Sequence, residues 1–149
     1  MRARDLMTKE VVTIGPKATV MEIAKLLKDK KISGVPVVDE KRRVLGMVTE
    51  KDVLRKRIAP TEPGMMNLFL SLFDETEAKK YANDVRKMFA ATAEEIMTRP
   101  AVCVEAGEDA LKVGQIILDR GIKRVPVTEL GKLVGIVSRH DLLQLVTEE

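Results

Sequence analysis

Two stretches of the chain set a hydroxyl and a carboxylate three residues apart behind a glycine. They are Gly46-Met-Val-Thr49-Glu-Lys-Asp52 and Gly135-Ile-Val-Ser138-Arg-His-Asp141. As pure structure each is a capping box: Thr49 or Ser138 bonds a backbone amide of a starting helix and Asp52 or Asp141 reaches back, worth about 0.5–2 kcal/mol. The same groups suit ligand chemistry. A helix start offers free amides and partial positive charge to a phosphate, and the hydroxyl adds a donor. A carboxylate one turn in can accept two hydrogen bonds from a vicinal diol, each about 1.5–3 kcal/mol before desolvation, which separates ribose from deoxyribose. Ribose phosphate is the fragment that uses both.

A second pair of segments, Ile32-Ser-Gly-Val-Pro36 and Ile122-Lys-Arg-Val-Pro126, carries a proline near the start of a strand. Proline has no amide donor, so the spacing predicts an edge strand whose neighbouring backbone groups are free for other partners. A planar adenine can lie against Ile, Val and such groups without an aromatic ring. An ordinary edge strand is the plainer reading of these residues taken alone.

These segments belong to an internal duplication. Met7/Met97, Thr8/Thr98, Val12/Val102, Ile32/Ile122, Val35/Val125 and Pro36/Pro126 match at a lag of 90, and Gly46/Gly135 and Asp52/Asp141 at 89. Each copy alone would leave an apolar face bare, so the two must pack face to face as one unit. Val11–Ile14 and Ala101–Val104 read as short strands. Helices follow, one capped by Thr19 with Glu22 and burying Val20, Ile23, Ala24 and Leu27, the other opened by Asp109 with Leu111, Val113, Ile116, Ile117 and Leu118 as its apolar face. Strands Val35–Val38 and Val44–Val48, or Val125–Thr128 and Lys132–Val137, come next. A final helix from Thr49 carries Val53 and Leu54, and one from Ser138 carries Leu142, Leu143 and Val146. Each unit is therefore strand, helix, strand, strand, helix.

Between the copies an insert of about 58–92 shows apolar residues at spacings of three and four, which predicts two amphipathic helices. All four aromatic residues, Phe69, Phe73, Tyr81 and Phe89, fall there, so neither repeat can stack a base on a ring of its own. They read as anchors of the insert, with a lid or a docking surface as the sharper alternative.

The chain has 149 residues, 45% apolar and 33% charged, with a net charge of +3 from 26 basic and 23 acidic residues. The charges are dispersed, so nothing supports nucleic-acid binding. Cys103, the lone cysteine, reads as a small buried hydrophobe in an apolar strand. No long apolar run argues for a membrane span, and a cytoplasmic location is the default. There is no P-loop, no zincin helix and no evident nucleophile–base pair, so no catalytic residue is assigned. His140 has no second histidine or paired cysteines to complete a metal site.

Both repeats resemble CBS domains, named after cystathionine β-synthase, and the tandem resembles the Bateman module. The resemblance rests on the Met-Thr lead, the hydrophobic-x-x-Val-Pro-Val strand and the closing Gly-h-h-[Thr/Ser]-x-x-Asp in both copies, about 100 of 149 residues. It implies an α/β (α+β) fold: two β-α-β-β-α repeats packed sheet to sheet by pseudo-twofold symmetry, at 1–58 and 93–149, with the helical insert at 59–92. It also implies two clefts for adenosine derivatives, AMP, ADP or ATP, with S-adenosylmethionine or its breakdown product as the alternative. Carried over by residue, one cleft uses Thr49 and Asp52 against Met97, Thr98, Val102, Ile122, Lys123, Arg124 and Val125. The other uses Ser138 and Asp141 against Met7, Thr8, Val12, Ile32, Ser33, Gly34 and Val35. Lys123 and Arg124 stand where the first repeat has Ser33 and Gly34, and Arg139 and His140 where it has Glu50 and Lys51, so each cleft has its own candidate cations. The implied function is a non-catalytic regulatory module acting through an unidentified effector protein or through a homodimer. A protein-interaction scaffold with degenerate clefts is the alternative.

Overall fold

The structure, a computed structural model, describes residues 1–58 and 91–148. The four aromatic residues and the expected helices of the insert lie outside them.

Short-range chemistry sets the long helices. In α2 (Val20–Lys30), which follows the four-residue α1 (Ala3–Leu6), Thr19 accepts from the Glu22 amide and Glu22 accepts from the Thr19 amide, closing the capping box. The helix ends at Lys31, in the left-handed conformation with φ 53°. In the second half, α5 (Ala110–Asp119) is capped by Asp109, whose Oδ1 accepts from the amides of Leu111 at 2.8 Å and Lys112 at 3.4 Å. Between them lie α3 (Glu50–Ile58) and the four-residue α4 (Ala93–Ile96).

β-Branched runs supply two sheets. β1 (Gly34–Val38) pairs antiparallel with β2 (Val44–Thr49), and β4 (Arg124–Glu129) with β5 (Lys132–Ser138), in equivalent registers: Gly34 opposite Thr49 and Arg124 opposite Ser138. Each pair carries a bulge after its Pro-Val, at Val37/Val38 and Val127/Thr128. The leading strands are much shorter than the sequence suggests. β3 (Val104–Glu105) runs parallel to β4 for two residues, and Ile14 makes only an isolated parallel bridge to Val37. Pro126 therefore does not lie in an edge strand, because β4 is the middle strand of its sheet; Pro36 does, in β1 of the two-stranded sheet, whose outer side carries a single bridge in which the Pro36 carbonyl accepts from Ile14. A missing N–H on the strand beside them limits how far the parallel ladder can extend, which accounts for the short partners.

The halves exchange their leading segments. Ala3 and Leu6 of α1 are buried in the second half's core beside Val113, Ile117, Val125, Val127 and Val137. Ala93 of α4, flanked by Ile96 and Met97, joins the first half's core of Val20, Ile23, Leu27, Val35, Val37 and Val48. The main chain secures both exchanges, through Ala3 N to Glu108 O at 2.8 Å and Ala93 N to Ala18 O at 2.7 Å. Thr8 bridges to Ile136 and Thr98 to Met47 in the same way. Each fully buried aliphatic side chain contributes about 1.5–3 kcal/mol, and part of each core is supplied by the other repeat's leader.

Other apolar assignments shift. Leu111 and Leu118 are 65% and 68% exposed, leaving Val113 and Ile117 as the buried face of α5. No regular helix starts at Ser138; a 3-10 turn, Asp141–Leu143, leads into α6 (Gln144–Thr147). Leu142 and Leu145 pack there against the core near Gly114, while Leu143 and Val146 face outward. Tightening the first turn rotates the expected positions Leu143 and Val146 away from the core and leaves Leu142 against it.

Candidate ligand sites between the repeats

Both closing motifs end β-strands at a cavity. At the first, the Asp52 carboxylate accepts through one oxygen, Oδ2, from the Thr49 amide at 2.8 Å and the Thr49 hydroxyl at 3.1 Å. At the second, Asp141 Oδ2 accepts from the Ser138 amide at 2.7 Å and the Ser138 hydroxyl at 2.9 Å. The Ser138 hydroxyl also accepts from the Asp141 amide at 3.3 Å. Two bonds to one oxygen fix each half-buried carboxylate. Among the described residues Oδ1 of each accepts nothing, so each carboxylate keeps a fixed, open acceptor of the sort a diol needs.

The cavity beside Asp52 has a volume of about 280 Å³ and gathers Thr49, Asp52, Thr98, Val102, Ile122, Lys123 and Arg124. The one beside Asp141, about 600 Å³, gathers Thr8, Val12, Ile32, Ser33, Gly34, Ser138 and Asp141. Small-ligand sites commonly span roughly 300–1,000 Å³, so the larger cavity lies within that range and the smaller just below it. The exchanged leaders bring in Thr98 and Thr8, so each cavity is built from both repeats.

Six residues of the expected set line neither cavity. Met97 and Met7 pack against Gly46 and Gly135. Val35 and Val125 are fully buried in the two cores. Arg139 is exposed and donates through Nε to the Ile122 carbonyl at 2.9 Å. His140 is exposed as well, and among the described residues no group of three His, Cys, Asp or Glu side chains is placed to hold a metal ion. Cys103 is half-buried, and burial pushes its thiol pKa up.

Several cavity residues were not picked out from the sequence. The smaller cavity also takes Lys51 and Arg55 from α3; the larger takes Glu10, Lys28 and Lys31. Lys51 and Arg55 stand at i and i+4, a spacing that puts two cations on one helix face. Glu50 lines both cavities, lies 3.7 Å from Lys123 Nζ, and donates its amide to the Ser33 carbonyl at 2.9 Å. The charges divide unevenly. The smaller cavity sets Lys51, Arg55, Lys123 and Arg124 against Glu50 and Asp52, while the larger sets Lys28, Lys31 and Arg124 against Glu10, Glu50 and Asp141. Arg124 is half-buried; burial lowers its pKa, and the field of Glu50 opposes that shift.

Comparison with known proteins agrees with this architecture. The chain is 30% identical over 148 residues to the chloroplastic CBS domain-containing protein CBSX1 of Arabidopsis thaliana, covering 94% of this chain and 61% of that protein. It is 28% identical over 138 residues to an uncharacterized protein of Methanopyrus kandleri, covering 92% of this chain and 58% of the relative. The chain thus spans about three fifths of the length of these two relatives. Among solved structures, CBSX2 in complex with AMP superposes with a TM-score of 0.75 at 21% identity, covering 99% of this chain and 96% of that one. The CBS domain pair of MJ0100, in complex with 5′-methylthioadenosine and S-adenosyl-L-methionine, gives a TM-score of 0.69 at 26% identity, with 99% and 97% covered. The CBS domain profile matches residues 3–59 and 93–148, the duplicated parts of the sequence, and the chain belongs to the CBS domain family as a tandem pair.

Proposed function

We propose that this chain is a non-catalytic regulatory module that binds adenosine-containing ligands of the AMP, ADP or ATP class in its two cavities. The observation that carries this reading is the repeated carboxylate: Asp52 and Asp141 are each locked through Oδ2 beside a cavity and, among the described residues, have Oδ1 without a partner. A ribose diol matches that acceptor, Val102 and Ile122 or Val12 and Ile32 offer apolar walls for a base, and the nearby cations meet a phosphate. The AMP complex of CBSX2 supports the same ligand class, and the MJ0100 complex supports adenosyl ligands without a phosphate.

Ligand binding transmits a signal only through different affinities for two arrangements of the protein. The exchanged leaders suit this, because a ligand held by Thr98 and Asp52 touches both repeats. The output passes to an effector protein or through a homodimer, for which the outward Leu111 and Leu118 of α5 and Leu143 and Val146 near the C-terminus are the contact surface. Isothermal titration of the purified protein with AMP, ADP, ATP and S-adenosylmethionine tests the reading. Submillimolar binding that is lost in the Asp52→Ala/Asp141→Ala double variant is expected; no binding by folded protein overturns it. Turnover of AMP or ATP, followed by chromatography, overturns the non-catalytic assignment.

A further inference from the structure

The repeats differ sharply at one pair of equivalent positions. Residue 34 is glycine, and its counterpart 90 residues later is Arg124. Both begin a strand and face equivalent partners, Thr49 and Ser138. The asymmetry has a steric reason: Arg124 crosses between the repeats and fills the space where a Gly34 side chain would begin, so a Cβ there would overlap Nη1. From that position Nη2 donates to the Ser33 hydroxyl. Arg124 occupies the space that a side chain at position 34 would need.

Arg124 lines both cavities, together with Ser33 and Glu50. The other cations are divided, Lys51, Arg55 and Lys123 on one side and Lys28 and Lys31 on the other. A guanidinium is a planar fork that binds a phosphate best with two parallel N–H bonds; both of its two-donor edges draw on Nη2, and the bond to Ser33 takes one of the Nη2 hydrogens, which leaves one complete edge. Being half-buried, it is also less screened than a surface charge.

We propose that Arg124 is one anion clamp shared by two sites, so that a phosphate-bearing ligand in either cavity withdraws it from the other and the two bind with negative coupling. This rests on the ligand reading above. Coupling of this kind is reciprocal, so it has the same size whichever cavity fills first. An uncharged adenosine, which makes no use of the fork, fills one cavity without weakening the other.

The test is calorimetric titration of the full chain with AMP and, separately, with adenosine. The Asp52→Ala and Asp141→Ala variants isolate the larger and the smaller cavity. We expect the second AMP to bind the unsubstituted protein about 10-fold more weakly than its cavity does in isolation, within the usual range of coupling. Adenosine should show no such loss. Arg124→Met should weaken AMP in both isolated cavities and remove the coupling. Arg124→Lys, which keeps the charge and loses the fork, provides a second variant should the first fail to fold, and its coupling should also fall. AMP binding at isolated-site affinities in the unsubstituted protein, or undiminished coupling in a folded Arg124 variant, overturns the shared clamp and leaves the ligand reading standing. Binding of neither AMP nor adenosine by any form overturns both.

Discussion

Met97 lies so close over Gly46 that a Cβ built on the glycine would sit 2.7 Å from the methionine sulfur and 2.8 Å from the Thr98 carbonyl oxygen. The same arrangement joins Met7 to Gly135, where the nearest atoms all belong to the Met7 side chain. These glycines are the seats of the exchanged leaders, and neither tolerates a methyl group without movement. Gly46→Ala and Gly135→Ala should each destabilise the fold by about 1–3 kcal/mol, as overpacking does. The two should respond differently to relief. Met7→Ala removes Sδ and Cγ and should recover part of the Gly135→Ala loss, whereas Met97→Ala leaves the Thr98 carbonyl against the methyl added by Gly46→Ala and recovers less. Urea unfolding of the two double-mutant cycles measures the difference.

What was legible followed the range of the interactions. The caps at Thr19 and Asp109 are local, and both are present as read. The resemblance to CBS domains implied the pairing of Thr98 with Asp52, but it does not reveal that four-residue helices carry the threonines across: α1 and α4 are too short to show any periodicity, and the main-chain bonds that seat them are long-range. Pro36 does sit in an edge strand, but Pro126 misled because an edge and a strand beside a two-residue partner leave the same unused position. Met7 and Met97 matched the motif as ligand contacts, yet sulfur against a bare glycine is a packing device. Glu50 and Lys51 look like any solvated helix start until the fold aims them at a cavity.

The fixed carboxylates make a prediction about sugar. With AMP against 2′-deoxy-AMP, a lost hydrogen bond to an ionised acceptor should cost about 1.5–3 kcal/mol, a preference of roughly 10-fold or more for the ribonucleotide. Asp52→Asn should erase that preference in the smaller cavity and Asp141→Asn in the larger. Competition titrations on each variant read out the two ratios. A preference that survives both substitutions assigns sugar recognition to other groups.

Charge separates the cavities further. Among the described residues the smaller holds four cationic side chains against two carboxylates, the larger three against three. In the Asp141→Ala variant, where only the smaller cavity is intact, affinity should rise from AMP to ADP to ATP and fall as salt is added, because these charges are partly exposed and screened. In the Asp52→Ala variant added phosphates should bring little gain. Lys123→Ala should flatten the first trend, and titrations at low and physiological salt decide it.

Acid stability follows from two partly exposed carboxylates, Asp39 and Glu108. Asp39 accepts from the amides of Arg43 and Lys41, both at 2.9 Å, and from Arg43 Nε at 2.8 Å, and the Arg43 amide is the main cause of its lowered pKa. Glu108 is lowered first by the Asp109 amide and then by Lys112. Both folded pKa values lie below the unfolded ones, so the stabilisation is complete above the unfolded values and disappears as pH falls through the folded ones. The urea midpoint should hold near neutrality and decline below about pH 5, where unfolded carboxylates begin to bind protons. Asp39→Asn should make that decline shallower.

The outward leucines lead to the last prediction. Leu111 and Leu118 lie seven residues apart on α5, which places them on one side of the helix, and both are about two thirds exposed. Leu143 and Val146 add further exposed apolar surface beyond the second repeat's closing motif. Single exposed leucines are ordinary, but a stripe on one helix is the pattern of a surface covered by a second copy. Sedimentation of the purified chain should show a dimer, and Leu118→Glu should convert it to a monomer while leaving the unfolding midpoint of that monomer little changed, since Leu118 contributes little to the core. If the unsubstituted chain sediments as a monomer at concentrations well above those used for titration, the homodimer is excluded and the signal must pass to another protein.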